Sequence, residues 1–486
     1  MARIVFLTVG ITSHVNAYSR IAKQLTDRGH DVAFLSPRDE VRETVESRGF
    51  SFFLLEDEQA LLAFTEKTPQ PGKTLPLLNL LYRIPIVSGL MPYLAWRTKR
   101  RQGRALYDHI TSSDELERSL KQLQPDLVLI AYELAHHVIR ANSLGVPLVL
   151  LQTHVSTRQA PNVPILESDY IPTEEADSPD RAAATWKRVY LRRRVRFGLE
   201  CLYLGGRDVM SALKELARRT GLDFEREVEY LSQWSFLHFS QLPTLYLSAY
   251  EFDFPLPDGD KRNFVGPQVL LDRQEPAAVS KEEDTVVKIM QDARRQGRQL
   301  LYCAMGTWRG NHDVGLLNRI TRAVADQPNW VLLLSLGGNL QPSELEPLPA
   351  NVHVFRNLPQ LHVLEQADVA ITHGGIATIN ECILAGVPML IYSNGFLDRN
   401  GNAARVFFHG LGLRGDARRD SPDKIAGDIQ HLLAEDAFSG NLQTMARHFR
   451  AYEQNHAAVR AIEQQLLIAA SDQGASAGSP CPAIRD

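Results

Sequence analysis

The stretch Asp368-Val-Ala-Ile-Thr-His-Gly-Gly-Ile-Ala-Thr-Ile-Asn-Glu381 decides the reading of this chain. Asp368–Thr372 is a short apolar strand, and two glycines separate it from the helical pattern Ile376–Leu384. Glycines at such a handover let backbone N–H groups approach a ligand closely, and the helix start supplies unpaired donors with a partial positive charge. His373 ends the strand, Thr378 falls about one turn into the helix, and Glu381 lies one turn further, suited to ribose hydroxyls. Together they predict a nucleotide-diphosphate cradle without an obvious metal. A capped strand-to-helix turn around a buried histidine has the same pattern.

The same alternation runs outward in both directions. Arg298–Met305, Trp330–Ser335, Val352–Phe355 and Pro388–Tyr392 read as strands, with helices at Val314–Ala325 and Asn402–His409 and a long helical tail, Ser421–Ala470. In the first 150 residues, strands Ile4–Val9, Asp31–Ser36, Asp126–Ala131 and Val146–Leu151 alternate with helices Val15–Arg28 and Ala135–Ser143. Continuous apolar strands between helices indicate parallel sheets covered on both faces. The expected class is therefore α/β, with two doubly wound Rossmann-like domains facing across a cleft and ligands at the carboxyl ends of the strands. Residues 1–255 form the expected first domain, with helical insertions at about 66–115 and 160–240. Residues 256–470 form the second, and the Ser-, Gly-, Ala- and Pro-rich 471–486 is expected to be disordered. Arg181–Leu204 and Asp208–Tyr230 read as helices, and Phe252–Asp260, by its prolines and turn residues, as an interdomain linker.

Composition narrows the function. The 486 residues carry 53 Lys plus Arg against 57 Asp plus Glu, a net charge of −4, which argues against a nucleic-acid binder. With 44% hydrophobic and 23% charged residues, the chain reads as globular. The four cysteines are far apart, so neither a disulfide framework nor a cysteine zinc site is expected. The N-terminal apolar run is shorter than a signal-peptide core, and Arg83, Pro85, Gly89 and Pro92 interrupt the apolar stretch Leu75–Trp96. A cytoplasmic location is the expectation.

Other motifs are weaker. No Gly-x-Gly-x-x-Gly follows the first strand, and Gly72-Lys73-Thr74 lacks a phosphate loop's first glycine, Lys67 standing there instead. Gly10-Ile-Thr-Ser-His14 places a histidine at the mouth of the first sheet, positioned as a general base or as a bystander. Asp398 and Arg399 follow a strand, where polar side chains reach a ligand; a helix cap and a solvated arginine fit equally. His136, His137, His353, His362 and His409 show no metal-ligand spacing, and no metal site is expected.

The segment Thr372–Arg405 resembles the donor-binding signature of the inverting UDP-glycosyltransferases of the two-domain GT-B fold, which decorate plant and microbial small molecules. It supplies His373, Gly374, Gly375, Thr378, Glu381, Gly386, Val387, Pro388, Asp398, Asn402, Ala403 and Arg405. Asn351-Val-His-Val, Pro359-Gln360 and Gly306-Thr307 match as well, and the first 40 residues resemble the family's start around Gly10, His14 and Asn16. The resemblance implies that His14 is the catalytic base and that the sugar is transferred with inversion. It implies that His373, the Gly375 backbone, Thr378 and Thr307 stabilise the diphosphate, Glu381 holds the ribose and Asp398 the donor sugar's hydroxyls, with Gly374, Arg399 and Asn402 also among the donor-binding residues. The co-substrate would be a UDP- or dTDP-sugar, with no cofactor and no metal, and the acceptor a hydrophobic small molecule with a free hydroxyl.

Three departures qualify it. Arg399 replaces the family's Gln, which opens the donor to an acidic sugar. Ala131 stands where the acid that orients the histidine normally falls, leaving Glu133 as substitute. Ala17 replaces a proline after His14. Two basic-aromatic stretches, Leu75–Arg104 and Trp186–Phe197, line an acceptor pocket or rest on an anionic membrane; solvated or core-packed helices are the favoured reading. Two rival functions stay open: a nucleotide-sugar 2-epimerase, and a catalytically silent sugar-nucleotide-binding partner.

Overall fold

The computed structural model describes residues 1–66, 100–155, 158–175, 177–230, 237–257, 259–260, 262–273, 277–306, 313–337 and 340–477. Leu75–Trp96, Gly72-Lys73-Thr74 and Thr307 lie outside them. The chain forms two compact units. One combines Met1–Gln152, Arg188–Leu245 and the chain from Val459; the other combines Thr153–Lys187 and Tyr246–Ala458. The sequence-based limits at 255 and 470 differ from these, because 153–187 packs with the second unit and the last helix with the first.

The first unit is built on five parallel strands, β1 (Arg3–Leu7), β2 (Asp31–Ser36), β3 (Ser51–Leu54), β4 (Leu127–Ala131) and β5 (Leu148–Gln152), in the order β3-β2-β1-β4-β5. Ile4–Leu7 and Val128–Ala131 are fully buried, as expected of strands covered on both faces. β6 (Val228–Tyr230) and β7 (Leu237–Phe239) pair antiparallel, and the chain leaves this unit within β8 (Thr244–Tyr246). The strand order reverses between β1 and β4, so the segments after these two strands emerge side by side, at the point where doubly wound sheets bind ligands.

The second unit repeats the plan. After a short β9 (Asn263–Phe264) come β10 (Gln299–Ala304), β11 (Trp330–Ser335), β12 (Val352–Phe355), β13 (Val369–Thr372), β14 (Met389–Ile391) and β15 (Gly412–Arg414). Their order is β12-β11-β10-β13-β14-β15, all parallel. Successive residues feed opposite cores: Leu300 and Tyr302 join one cluster with Ile379, Met445 and Phe449, and Leu301 and Cys303 join another with Leu317, Ile320 and Ile429. The switch here lies between β10 and β13, and the His373 segment leaves from it. The class expected from sequence, α/β with two doubly wound units, is the one observed.

Several expectations are corrected. Phe252–Asp260 does not begin as a linker: Phe252 and Phe254 are buried in the second unit's core and Asp253 is held by Arg405. Aromatic burial outweighs the turn chemistry of the prolines there. Asp208–Tyr230 is helical over Val209–Thr220; Asp223 then caps a new turn by accepting from the Arg226 N–H, and β6 follows. The tail is three helices, Pro422–Ala434, Asp436–Gln454 and Ala457–Ala477, the last two parted at His456, whose φ is +49°. The third passes 471, where disorder was expected. Among the described residues, no helix is long and apolar enough to cross a membrane.

Candidate active site

In the first unit the chain turns out of β1 at Gly10, with φ +71°. A Cβ there would come within 2.6 Å of Arg38 Cβ, so only glycine fits. Helix Thr12–Asp27 begins two residues later and carries His14 in its first turn, 8% exposed. Across the switch point β4 ends at buried Ala131, and Glu133 follows in the turn. His14 Nε2 and Glu133 Oε1 are 3.0 Å apart, with both side chains about one-tenth exposed. The structure thus brings together the two residues singled out in this half. Tyr18, one turn along the helix, sets its ring perpendicular to His14 at 6.0 Å. Burial, with the Glu133 charge adding to it, holds the Tyr18 phenol well above its usual range, so it stays protonated.

In the second unit β13 hands over to helix Ile376–Ala385 through Gly374, whose φ is +88°, and Gly375, the N-cap. No side chain caps this helix, which leaves its first N–H groups directed at whatever lies before it. The His373 ring covers the start of the helix: a Cβ on Gly375 would lie 2.8 Å from its Nε2. Gln360 Nε2 donates to Thr378 Oγ1 at 3.3 Å and to Glu381 Oε2, while Tyr302 donates to Gln360 Oε1 at 2.7 Å. Arg273 Nη1 donates to Glu381 Oε1 at 2.5 Å. Glu381 is therefore a buried carboxylate held at both oxygens.

The loop after β14 completes this cluster. Leu397 takes a left-handed φ of +55°, and Asp398 opens helix Arg399–Phe408. The Asp398 side chain does not cap that helix. It accepts from Asn402 Nδ2 at 2.7 Å, and the same amide donates to the Gly374 carbonyl at 3.0 Å, tying the two signature segments together. His154 Nε2 lies 3.8 Å from Asp398 Oδ2. Arg399 is 6% exposed, not a solvated arginine; its Nη1 donates to Asn394 Oδ1 at 2.9 Å and its guanidinium lies over the Phe396 ring. Burial lowers its pKa, against the opposing charge of Asp398. Of the expected donor residues, His373, Gly374, Gly375, Thr378, Glu381, Asp398, Arg399 and Asn402 are gathered in this unit. Arg273, His154 and Asn394 were missed, since each is a single polar residue in a loop with no pattern around it. On helix Ser178–Leu204, Trp186 is buried, its Nε1 donating to the Val163 carbonyl at 2.7 Å, whereas Leu191, Val195, Leu199 and Leu202 are exposed.

Two doubly wound sheets, with an uncapped glycine-rich helix start at the second switch point, are the architecture of the GT-B fold. The solved glycosyltransferase of kitacinnamycin superposes with a TM-score of 0.60 at 20% identity, covering 96% of this chain and 98% of that one. The glycosyltransferase VinC, solved in complex with dTDP, gives 0.55 at 18% identity over 96% and 100%. Residues 332–463 match the family described as erythromycin biosynthesis protein CIII-like, C-terminal domain. The zeaxanthin glucosyltransferase of Pantoea ananas is 25% identical over 466 residues, 93% of this chain and 94% of that protein. The chain is thus similar along nearly its whole length to a carotenoid glucosyltransferase and in fold to natural-product glycosyltransferases, and it is a glycosyltransferase of the natural-product and carotenoid type.

Proposed function

We infer that the enzyme transfers a sugar, with inversion, from a UDP- or dTDP-sugar to a hydroxyl of a hydrophobic small molecule, with His14 as general base. The observation that carries this reading is the 3.0 Å contact of His14 Nε2 with Glu133 Oε1 at the first unit's switch point. The Glu133 carboxylate beside Nε2 orients the ring and stabilises the imidazolium that forms when it takes up a proton. The imidazole takes the acceptor's proton as the oxygen attacks the anomeric carbon and the bond to the diphosphate breaks. A single displacement of this kind inverts the anomeric centre.

The leaving diphosphate is stabilised by the uncapped start of helix Ile376–Ala385, with His373 and Thr378, as donors set in place before the reaction. The positive end of the helix does the work a bivalent cation would otherwise do. Each Glu381 oxygen has two lone pairs, so its bonds to Arg273 and Gln360 leave acceptor capacity for ribose hydroxyls. The relative's name, a zeaxanthin glucosyltransferase, supports a lipophilic acceptor, and the dTDP complex of VinC supports a pyrimidine nucleotide.

Calorimetric titration of UDP, dTDP, GDP and ADP into the purified protein, without metal, tests the donor half. UDP or dTDP is expected to bind and the purine nucleotides are not. Binding of none of the four, even with magnesium, would remove the cradle.

Arg399 bears on the sugar. Its guanidinium is engaged by Asn394 and stacked on Phe396, so in this reading it fixes the loop rather than a donor carboxylate. Arg399→Gln is then expected to leave the preference between a uronic acid donor and a neutral hexose donor unaltered in competition kinetics. A shift towards the neutral hexose would restore the carboxylate role.

A further inference from the structure

A second cluster of ionisable side chains lies in the first unit. Glu58 on helix Glu56–Glu66, His109 within the helical residues 100–112, and His136 on helix Ala135–Ser143 place their ligand-type atoms within 4.8 Å of one another. The proposed mechanism uses none of them. His136-His137 adjacency gave no metal-binding spacing because the partners come from three separate elements.

Hydrogen bonding and ion pairing account for only part of the cluster. The Glu58 carboxylate is buried, and His137 Nε2 lies 2.6 Å from its Oε2. His136 Nε2 is buried 3.4 Å from Oε1, yet it forms no hydrogen bond among the described residues. An imidazole nitrogen, a second imidazole and a carboxylate oxygen thus converge with one buried nitrogen unsatisfied, which is costly unless something occupies the space between them.

We propose that Glu58, His109 and His136 bind a divalent d-block cation of the zinc type, with His137 orienting the Glu58 carboxylate. Two imidazoles and one carboxylate are a ligand set for zinc, with a position left for water, and are unsuited to magnesium or calcium. Tetrahedral zinc needs its ligand atoms about 3.4 Å apart, so side-chain adjustments of about 1 Å close the site. The bond from His137 to the second carboxylate oxygen is the support that metal-bound carboxylates usually have. The ion would pin three helices that are distant in sequence.

The test titrates zinc, and separately cobalt, into the chelator-stripped full chain carrying no histidine tag. One equivalent of zinc is expected to bind saturably, magnesium is not, and saturating zinc is expected to raise Tm by about 2 °C or more. His109→Ala, at a partly exposed position, should abolish saturable binding. His137→Gln should keep the stoichiometry and weaken affinity by about 10–100-fold. The wild-type cobalt spectrum needs no variant: intense visible bands are expected, and the pale spectrum of an octahedral aquo ion would overturn the site. Absence of saturable zinc binding, or equal affinity in wild type and His109→Ala, would overturn it too.

Discussion

His14→Ala is expected to lower kcat by about 10²–10⁴-fold, the range that a positioned general base contributes, while the affinity for UDP or dTDP stays unchanged. The asymmetry follows from where the groups sit. His14 belongs to the first unit and the nucleotide cradle to the second, so removing the imidazole takes away proton transfer and leaves every donor contact in place. Glu133→Gln should cost less than His14→Ala, because an amide still accepts from Nε2 and what is lost is the charge that stabilises the imidazolium. Steady-state kinetics beside nucleotide calorimetry separates the outcomes. Equal turnover in wild type and His14→Ala would remove His14 from the chemistry, and a parallel loss of nucleotide affinity would point to misfolding.

How much of this was legible beforehand depends on where each signal lives. The β13 handover was readable because strand, glycines and helix are contiguous: Val369–Thr372, Gly374-Gly375 and Ile376–Ala385 each carry their own local signature. The contact of Glu133 with His14 was within reach of the sequence, since Glu133 lies only two residues past the end of β4. Arg273 was not, because its significance is a bond to Glu381, 108 positions away, and nothing in its own loop marks it. The Phe252–Asp260 segment misled for the same reason. Prolines and acidic residues describe a local turn, but the partner that buries Asp253 is Arg405, which local patterning cannot supply. Local chemistry therefore reveals elements and the residues at their ends, and contacts between distant elements stay hidden until the chain is folded.

That last pair leads to the second large effect. Arg405→Met is expected to destabilise the protein by about 3–5 kcal/mol, the usual cost of breaking a buried ion pair from one side. Arg405 is fully buried and Asp253 is 1% exposed; Nε and Nη2 reach Asp253 Oδ1 at 2.9 and 2.6 Å, Nη1 donates to the Gly401 carbonyl at 3.1 Å, and the guanidinium lies 4.4 Å over the Phe254 ring. Methionine fills much of the volume but removes the guanidinium that donates twice to the buried carboxylate. At about 2–4 °C per kcal/mol for a unit of this size, the unfolding transition should fall by about 6–20 °C. Replacing both partners, as Asp253→Leu with Arg405→Met, should recover a large part of that loss, because no uncompensated charge stays in the core. Additive losses in the double variant would show that packing around Arg405, rather than its charge pairing, holds the segment. Helix Arg399–Phe408 carries Asn402, whose amide holds Asp398 and the Gly374 carbonyl. Loosening Arg405 should therefore also weaken nucleotide-sugar binding at temperatures well below the transition, since the clamp at one end of this helix keeps the other end in register with the cradle.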